Sequence, residues 1–314
     1  MTDLRRLGAS SLHTPKLCLG GNVFGWTADK ATSFAVLDAF VDAGGTLVDT
    51  ADVYSAWVPG HKGGESESVI GEWIKSSGKK IGVATKVGML PSAAGEKLAP
   101  ARIAEACDAS LQRLGIDQIA LYYAHQDDEA TPQDVYMEAF AKLVAAGKVA
   151  VLGASNFHAA RLKSANDTAR AAGLPHFQAL QPEYNLVSRH KFEGELQDYC
   201  VEYNIGVLPY YGLASGFLTG KYRSADDYGK SVRGSRMAAY LDGKGSAVLK
   251  AMDEVAGETG ATLAQIALAW LAAQPGVTAP IASATSVAQL QELLPAMDLT
   301  LSAEQLDKLD AAGA

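Results

Sequence analysis

Residues 47–54, LVDTADVY, set an apolar pair (Leu47, Val48) directly before Asp49 and place a phenol, Tyr54, five residues further on. A buried strand that ends on a carboxylate and feeds a loop carrying a phenol is how a chemical site is built at the end of a sheet. Two later apolar runs also end on a functional group: IGVATK (81–86) on Lys86 and IALYYAH (119–125) on His125. The four groups fit together chemically. A free phenol titrates near pH ~10, so it shuttles protons poorly at neutral pH unless its anion is stabilised. A neighbouring ammonium does that by Coulomb attraction, and a carboxylate keeps the ammonium charged. An imidazole beside the phenol orients a carbonyl oxygen and donates a hydrogen bond to charge developing there. Taken singly, each group has an ordinary use: a strand-end Asp caps a turn, a Lys is solvated, a His or Tyr packs at a loop. Their succession on consecutive strand ends is what points to chemistry.

The elements that must hold these groups follow a regular rhythm. Residues 4–18 read as a small N-terminal hairpin around GASS, and 16–21 as the first core strand. A helix from about residue 29 carries Phe34, Leu37 and Val41, and Gly44 and Gly45 stop it before the LVDTA strand. Helices around Val69–Ile70–Trp73 and Ile103–Cys107–Leu114 alternate with the Lys86 and His125 strands, and a Pro-started helix spans 132–146. The second half continues with strands at 149–156, 177–184, 205–211 and 278–284. Helices are expected near 158–172, 190–203, 246–259, 262–273, 286–295 and 303–312, with one long irregular stretch, 219–244. Short apolar runs alternating with amphipathic helices indicate a parallel sheet covered by helices. Eight such units fill residues 1–314 without a linker, which favours one α/β domain: a (β/α)8 TIM barrel with an N-terminal β-hairpin and extra C-terminal helices. In such a barrel the strand ends share one mouth, so Asp49, Tyr54, Lys86 and His125 converge.

Composition excludes several classes. With 48 % hydrophobic and 20 % charged residues the chain is globular, and a net charge of −8 argues against nucleic acid or an anionic membrane as partner. Cys18, Cys107 and Cys200 are odd in number and lack metal-ligand or CxxC spacing, so they read as buried reduced thiols, and no metal site is expected. The polar start, MTDLRRLGAS, has no signal-peptide core, and no apolar run is long enough to span a bilayer; the expected location is the cytoplasm.

The ordered blocks DTADVY (49–54), ATK (84–86), LYYAH (121–125), GASNF (153–157), QPEYN (181–185) and GFLTGKY (216–222) resemble the aldo-keto reductase superfamily over nearly the whole chain. Ser55 departs from the glycine usual after the tyrosine. Within the superfamily the likeness is to bacterial reductases and to cytosolic potassium-channel β-subunits. The resemblance implies Tyr54 as proton donor, Lys86 and Asp49 as the pair lowering its pKa, His125 as the orienting imidazole, and hydride transfer from a nicotinamide to a carbonyl carbon of a small-molecule substrate. It also leans toward a monomer.

No side chain supplies hydride, so a cofactor is required. GxGxxG after a strand is absent. GFLTGKY fails as a phosphate loop, because Ser215 stands at the first glycine and Tyr222 at the Ser/Thr. Ser155, Asn156 and Gln181 offer donors and acceptors for a carboxamide, and Tyr210 a face for stacking; the resembled family holds nicotinamide this way. In the stretch 219–244, Lys221, Arg223, Lys230, Arg233 and Arg236 form a local basic excess that suits a pyrophosphate or simply a solvated surface. The resemblance favours Lys221, then Arg236, and marks Leu213 and Gly216 beside them. Segment 281–293 lies where the family binds an adenosine 2′-phosphate. Here Ser283 and Gln289 replace the frequent Lys and Arg, leaving Ser283, Thr285 and Gln289 as neutral candidates. NADP is the expected cofactor, with NAD as the other possibility. Phe24, Trp26 and Trp57, with Tyr122 or Gln126, are expected to wall the substrate pocket.

Two other readings stand beside carbonyl reduction. One is a barrel aldolase with Lys86 as Schiff-base lysine. The other is an NADP-binding regulatory subunit with negligible turnover.

Overall fold

The computed structural model describes residues 3–230, 237–241 and 243–314. Strands β1 (Arg5–Arg6) and β2 (His13–Thr14) pair antiparallel as the expected hairpin. Eight parallel strands follow: β3 (Cys18–Gly20), β4 (Leu47–Asp49), β5 (Gly82–Val87), β6 (Ile119–Ala124), β7 (Val149–Ser155), β8 (Ala179–Gln181), β9 (Gly206–Val207) and β10 (Ile281–Ala282). They pair in chain order, and β10 returns to β3. A Val207–Val277 bridge and the hydrogen bond from Ile281 N–H to Pro209 O join the last two and close the barrel.

Around it lie α1 (Lys30–Asp42), α2 (Glu65–Ser77), α3 (Pro100–Leu114), α4 (Gln133–Ala145), α5 (Ala159–Ala171), α6 (Glu195–Glu202), α7 (Ala238–Leu241), α8 (Gly245–Thr259), α9 (Leu263–Ala273), α10 (Val287–Leu293) and α11 (Ala303–Gly313). Capping boxes, Thr262 with Gln265 and Ser302 with Gln305, fix the starts of α9 and α11. The extra C-terminal helices are α8, inserted before the last barrel unit, and α11, which packs against it. On α1 the buried stripe is Ser33–Val36–Leu37–Phe40, rotated by one position from the expected face. The helix expected over 190–203 splits: a 3₁₀ turn at Arg189–Lys191 is separated from α6 by Gly194, whose φ of 89° suits glycine.

Side chains alternate across each strand. Cys18, Leu47, Ala84, Leu121, Tyr123, Val151 and Ile281 fill the barrel interior, with Leu7 of the hairpin plugging its lower end. The opposite faces pack against the helices; Tyr122 and Leu152, for example, join Phe140 and Phe177. At Gly153 a Cβ would stand 2.5 Å from the Tyr123 ring, so glycine there makes room for that ring inside the barrel. No helix of the described residues is long and apolar enough to cross a membrane.

Candidate functional site

The chemistry-bearing strand ends meet at one end of the barrel. Asp49 closes β4 and Lys86 lies one residue from the end of β5, both buried. The Lys86 ammonium donates to Asp49 Oδ2 at 2.7 Å, to the Thr50 carbonyl at 2.6 Å and to the Tyr54 hydroxyl oxygen at 3.1 Å. Those three acceptors use all three of its protons. The loop 50–54 holds Tyr54 in place partly through the backbone: Thr50 N–H bonds to Ala84 O, and Asp52 N–H to Lys86 O. His125 follows β6, its N–H bonded to Val87 O, and its ring stands edge-on to that of Tyr54 with centres 6.1 Å apart.

Burial dominates the electrostatics. It pushes the Asp49 carboxyl up, opposed by the Lys86 charge and by hydrogen bonds from Lys86 and Gln181. Burial would lower Lys86, but Asp49 and Tyr54 together raise it, so the ammonium stays charged. Desolvation lifts the Tyr54 phenol above its ordinary value, outweighing the downward pull of Lys86. The Lys86 ammonium does pull the phenol in the expected, acidifying direction, but burial holds it protonated. His125 is driven well below its ordinary value by burial and then by Lys86, so its imidazole is neutral.

The second-half strand ends close the ring of groups. Ser155, the last residue of β7, donates its hydroxyl to Gln181 O at the end of β8. Gln181 Nε2 donates to the other Asp49 oxygen, Oδ1, at 2.8 Å. Asn156, in the left-handed region (φ 57°) that Asn tolerates, donates to His125 O and accepts from the Tyr210 hydroxyl. Asp49, Tyr54, His125, Ser155, Asn156, Gln181, Tyr210 and Ser283 all line one cavity of about 670 Å³. Of the other cofactor candidates, Leu213 is half-buried between the helix layers and Lys221 reaches back over its own turn. A Cβ on Gly216 would lie 3.3 Å from the Lys221 ammonium nitrogen. Thr285 and Gln289 are bonded to each other, Gln289 Oε1 accepting from both the N–H and the hydroxyl of Thr285 at 2.9 Å. Arg233 and Arg236 lie outside the described residues.

The model of the Aldo/keto reductase family matches residues 16–314. The chain belongs to the aldo/keto reductase family. It is 34 % identical to an uncharacterized oxidoreductase, YrpG, of Bacillus subtilis, over 97 % of this chain and 94 % of the relative. It is 32 % identical to a probable voltage-gated potassium channel subunit beta of Oryza sativa (98 % and 95 % covered). It is 33 % identical to the NADP(+) aldo-keto reductase yakc of Schizosaccharomyces pombe (91 % and 83 %). The chain is thus an oxidoreductase of this family.

In this aldo/keto reductase the cavity wall differs from the expected one in part. Trp26 and Trp57 line it, their rings edge-on at 5.5 Å, and Trp57 is also edge-on to Tyr54 at 5.8 Å. Phe24 does not. The turn from Gly21 to Ala28 folds its ring into the core beneath, with Phe24 N–H bonded to Gly21 O, and leaves Trp26 facing out. Tyr122 is also a core residue: it lies on the outer face of β6 against Phe140, because strand alternation sends Leu121 and Tyr123 inward and Tyr122 outward. Gln126 instead donates to Gly88 O and is not part of the wall.

Sequence reasoning missed Asn22, Val53, Met89 and Tyr211, which line the cavity, and Tyr123 beneath it. Lys86 Nζ lies 6.0 Å from the Tyr123 ring centre, and burial raises that phenol well above its ordinary value. Period-two alternation counted back from His125 would have found Tyr123. Tyr211 is held by its carbonyl, which accepts from Asn185 of the QPEYN block. A second buried ion pair, Arg102 with Asp52 at 2.5 Å, ties the Tyr54 loop to α3 and carried no sequence signal.

Proposed function

We propose that the chain works as one barrel domain that reduces an aldehyde or ketone to an alcohol with NADPH, Tyr54 supplying the proton. The observation that carries this reading is the unbroken Asp49–Lys86–Tyr54 hydrogen-bond chain, which ends in the cavity beside a neutral imidazole. The nicotinamide, when bound, supplies hydride to the carbonyl carbon. Ser155, Asn156 and Gln181 form a donor and acceptor set on the cavity wall that fits a carboxamide, and the Tyr210 ring beside them fits a flat heterocycle. Ser283, at the cavity edge with its hydroxyl on Asn22 Oδ1, is a neutral partner for the rest of the dinucleotide. Lys221 and the Thr285–Gln289 pair are further candidates outside the cavity.

In this reading the neutral His125 holds the substrate oxygen next to the Tyr54 hydroxyl. As hydride arrives, charge grows on that oxygen and the phenol proton moves to it. The phenolate left behind is stabilised by the Lys86 ammonium, itself anchored by Asp49. A Schiff base on Lys86 is disfavoured, since an ammonium with all three protons engaged in a buried site has no lone pair to attack a carbonyl. A redox-sensing subunit with slow turnover is the second reading, favoured by the relative named as a channel β subunit.

Fluorescence titration of the four tryptophans with NADPH and NADH, followed by a screen of aldehydes and ketones for NADPH oxidation, tests the proposal. Micromolar binding with turnover on carbonyls is expected. Binding with no turnover on any carbonyl would favour the sensor, and absence of binding would remove both.

A further inference from the structure

The loop that carries Trp57 is closed at its neck by a single carboxylate. Glu65, the first residue of α2, accepts from Lys62 N–H at 2.7 Å, Gly63 N–H at 3.0 Å and Ser55 N–H at 3.2 Å. The Tyr54 carbonyl accepts from Gly64 and Ser66 N–H across the same neck. Residues 55–64 are therefore a compact surface loop with its ends pinned together. Glu65 also borders the loop that carries Trp26: a Cβ on Gly25 would stand 3.4 Å from Glu65 Cβ. The Ser55 hydroxyl reaches Phe24 O at 3.5 Å, joining the two loops once more. Burial opposes ionisation of Glu65, but the backbone donors, Lys62 first among them, hold its carboxyl below the ordinary range, so the clamp is an anion at neutral pH.

The wall that these loops form has a definite chemistry. Trp26, Trp57, Tyr54 and Tyr211 line the cavity, and so do Val53 and Met89. Trp57 is 48 % and Tyr211 43 % exposed, so large apolar surface stands at the mouth. Among the described lining residues the one carboxylate, Asp49, is taken up by Lys86 and Gln181, the imidazole is neutral, and no Lys or Arg reaches the lining. A substrate carboxylate or phosphate would lose its hydration there and find no cation among the described lining residues.

We propose that Glu65 is a positioning residue that holds Trp57 against Trp26 and Tyr54, and that the aromatic slot so formed selects planar, uncharged aromatic aldehydes or ketones. The selection of substrate rests on the reductase reading above; the clamp itself rests on the hydrogen bonds alone. Edge-on and stacked ring contacts provide the preference, and they require Trp57 to be fixed before the substrate arrives.

The test compares kcat/KM for benzaldehyde, 4-carboxybenzaldehyde and propanal in the wild type, Glu65→Ala, Glu65→Gln and Trp57→Ala. The wild type should prefer benzaldehyde to its carboxylated analogue by about tenfold or more. Glu65→Ala and Trp57→Ala should each lower the benzaldehyde-to-propanal ratio about tenfold, mainly through KM, and Glu65→Gln, which keeps one acceptor oxygen, should fall between the wild type and Glu65→Ala. Trp57 is a surface side chain, so its variant reports on the slot even where the clamp variants fold poorly. An unchanged ratio in Trp57→Ala and in folded Glu65→Ala, or equal use of the carboxylated aldehyde, overturns the proposal. Failure of the reductase reading is seen separately, as no NADPH oxidation with any carbonyl. In that event, benzaldehyde quenching of tryptophan emission in the wild type but not in Trp57→Ala supports the slot, and no quenching refutes it.

Discussion

Replacing Lys86 by Met keeps most of the unbranched side chain, one atom shorter, and removes the charge on which the proposed proton transfer depends. The ammonium nitrogen is 3.1 Å from the Tyr54 oxygen and 2.7 Å from Asp49 Oδ2. At an effective dielectric of about 20, a unit charge at the phenol distance stabilises a full phenolate by roughly 5 kcal/mol. The Asp49 carboxylate behind the ammonium offsets part of this, and the phenol is only partly ionised in the transition state. We expect the barrier to rise by about 3–4 kcal/mol, a loss of ~10²–10³ in kcat. NADPH oxidation at saturating substrate measures the loss, with NADPH affinity and thermal melting measured in parallel. Removing one partner of a buried pair costs about 3–5 kcal/mol unless the orphaned carboxyl takes up a proton, which the upward push of burial on Asp49 favours. A folded, NADPH-binding Lys86→Met protein with kcat within about threefold of the wild type would refute the relay.

Two further substitutions test the groups around the relay. Arg102→Met removes the partner of Asp52, whose carboxyl burial already raises to about 7, and should destabilise the fold by about 3–5 kcal/mol at pH 8 in a thermal melt. Without the guanidinium the carboxyl rises further. A group whose folded pKa is raised contributes stability that is full below its unfolded value of 3.8 and lost as pH rises through the folded one. The variant should therefore recover stability between pH 8 and pH 5 relative to the wild type; a deficit that is constant with pH would contradict this. Gln181→Leu leaves Asp49 Oδ1 without its donor and should cost about 1–3 kcal/mol in denaturant melts while weakening NADPH binding. Unchanged NADPH affinity would remove Gln181 from the proposed carboxamide set.

The barrel and the convergence of Asp49, Tyr54, Lys86 and His125 were legible because each strand is a short apolar run and each functional group sits at its end. What strand periodicity left open was which way each side chain points from an irregular loop. Trp26 and Phe24 are two residues apart, yet a turn closed by backbone hydrogen bonds sends one to the cavity and the other into the core. Tyr122 and Tyr123 were distinguishable, since alternation from His125 assigns one to each face, but aromatic content alone drew attention to the wrong one. Pairings between distant segments, such as Gln181 with Asp49 and Arg102 with Asp52, have no signature in a single chain. They arise only once the barrel brings those residues together. The weight of burial on Tyr54 was hidden for the same reason: the ammonium was visible in the sequence, and the degree of burial was not.

The central claim is that Tyr54 delivers the proton to the substrate oxygen as the carbonyl carbon accepts hydride. The measurement that bears on it most directly is single-turnover oxidation of bound NADPH by a carbonyl substrate in the wild type and in Tyr54→Phe. The phenyl ring keeps the packing against Trp57 and His125 and loses only the hydroxyl. The account predicts NADPH affinity within about twofold of the wild type and a hydride-transfer rate at least ~10²-fold lower. A Tyr54→Phe protein that oxidises NADPH at the wild-type rate would contradict it.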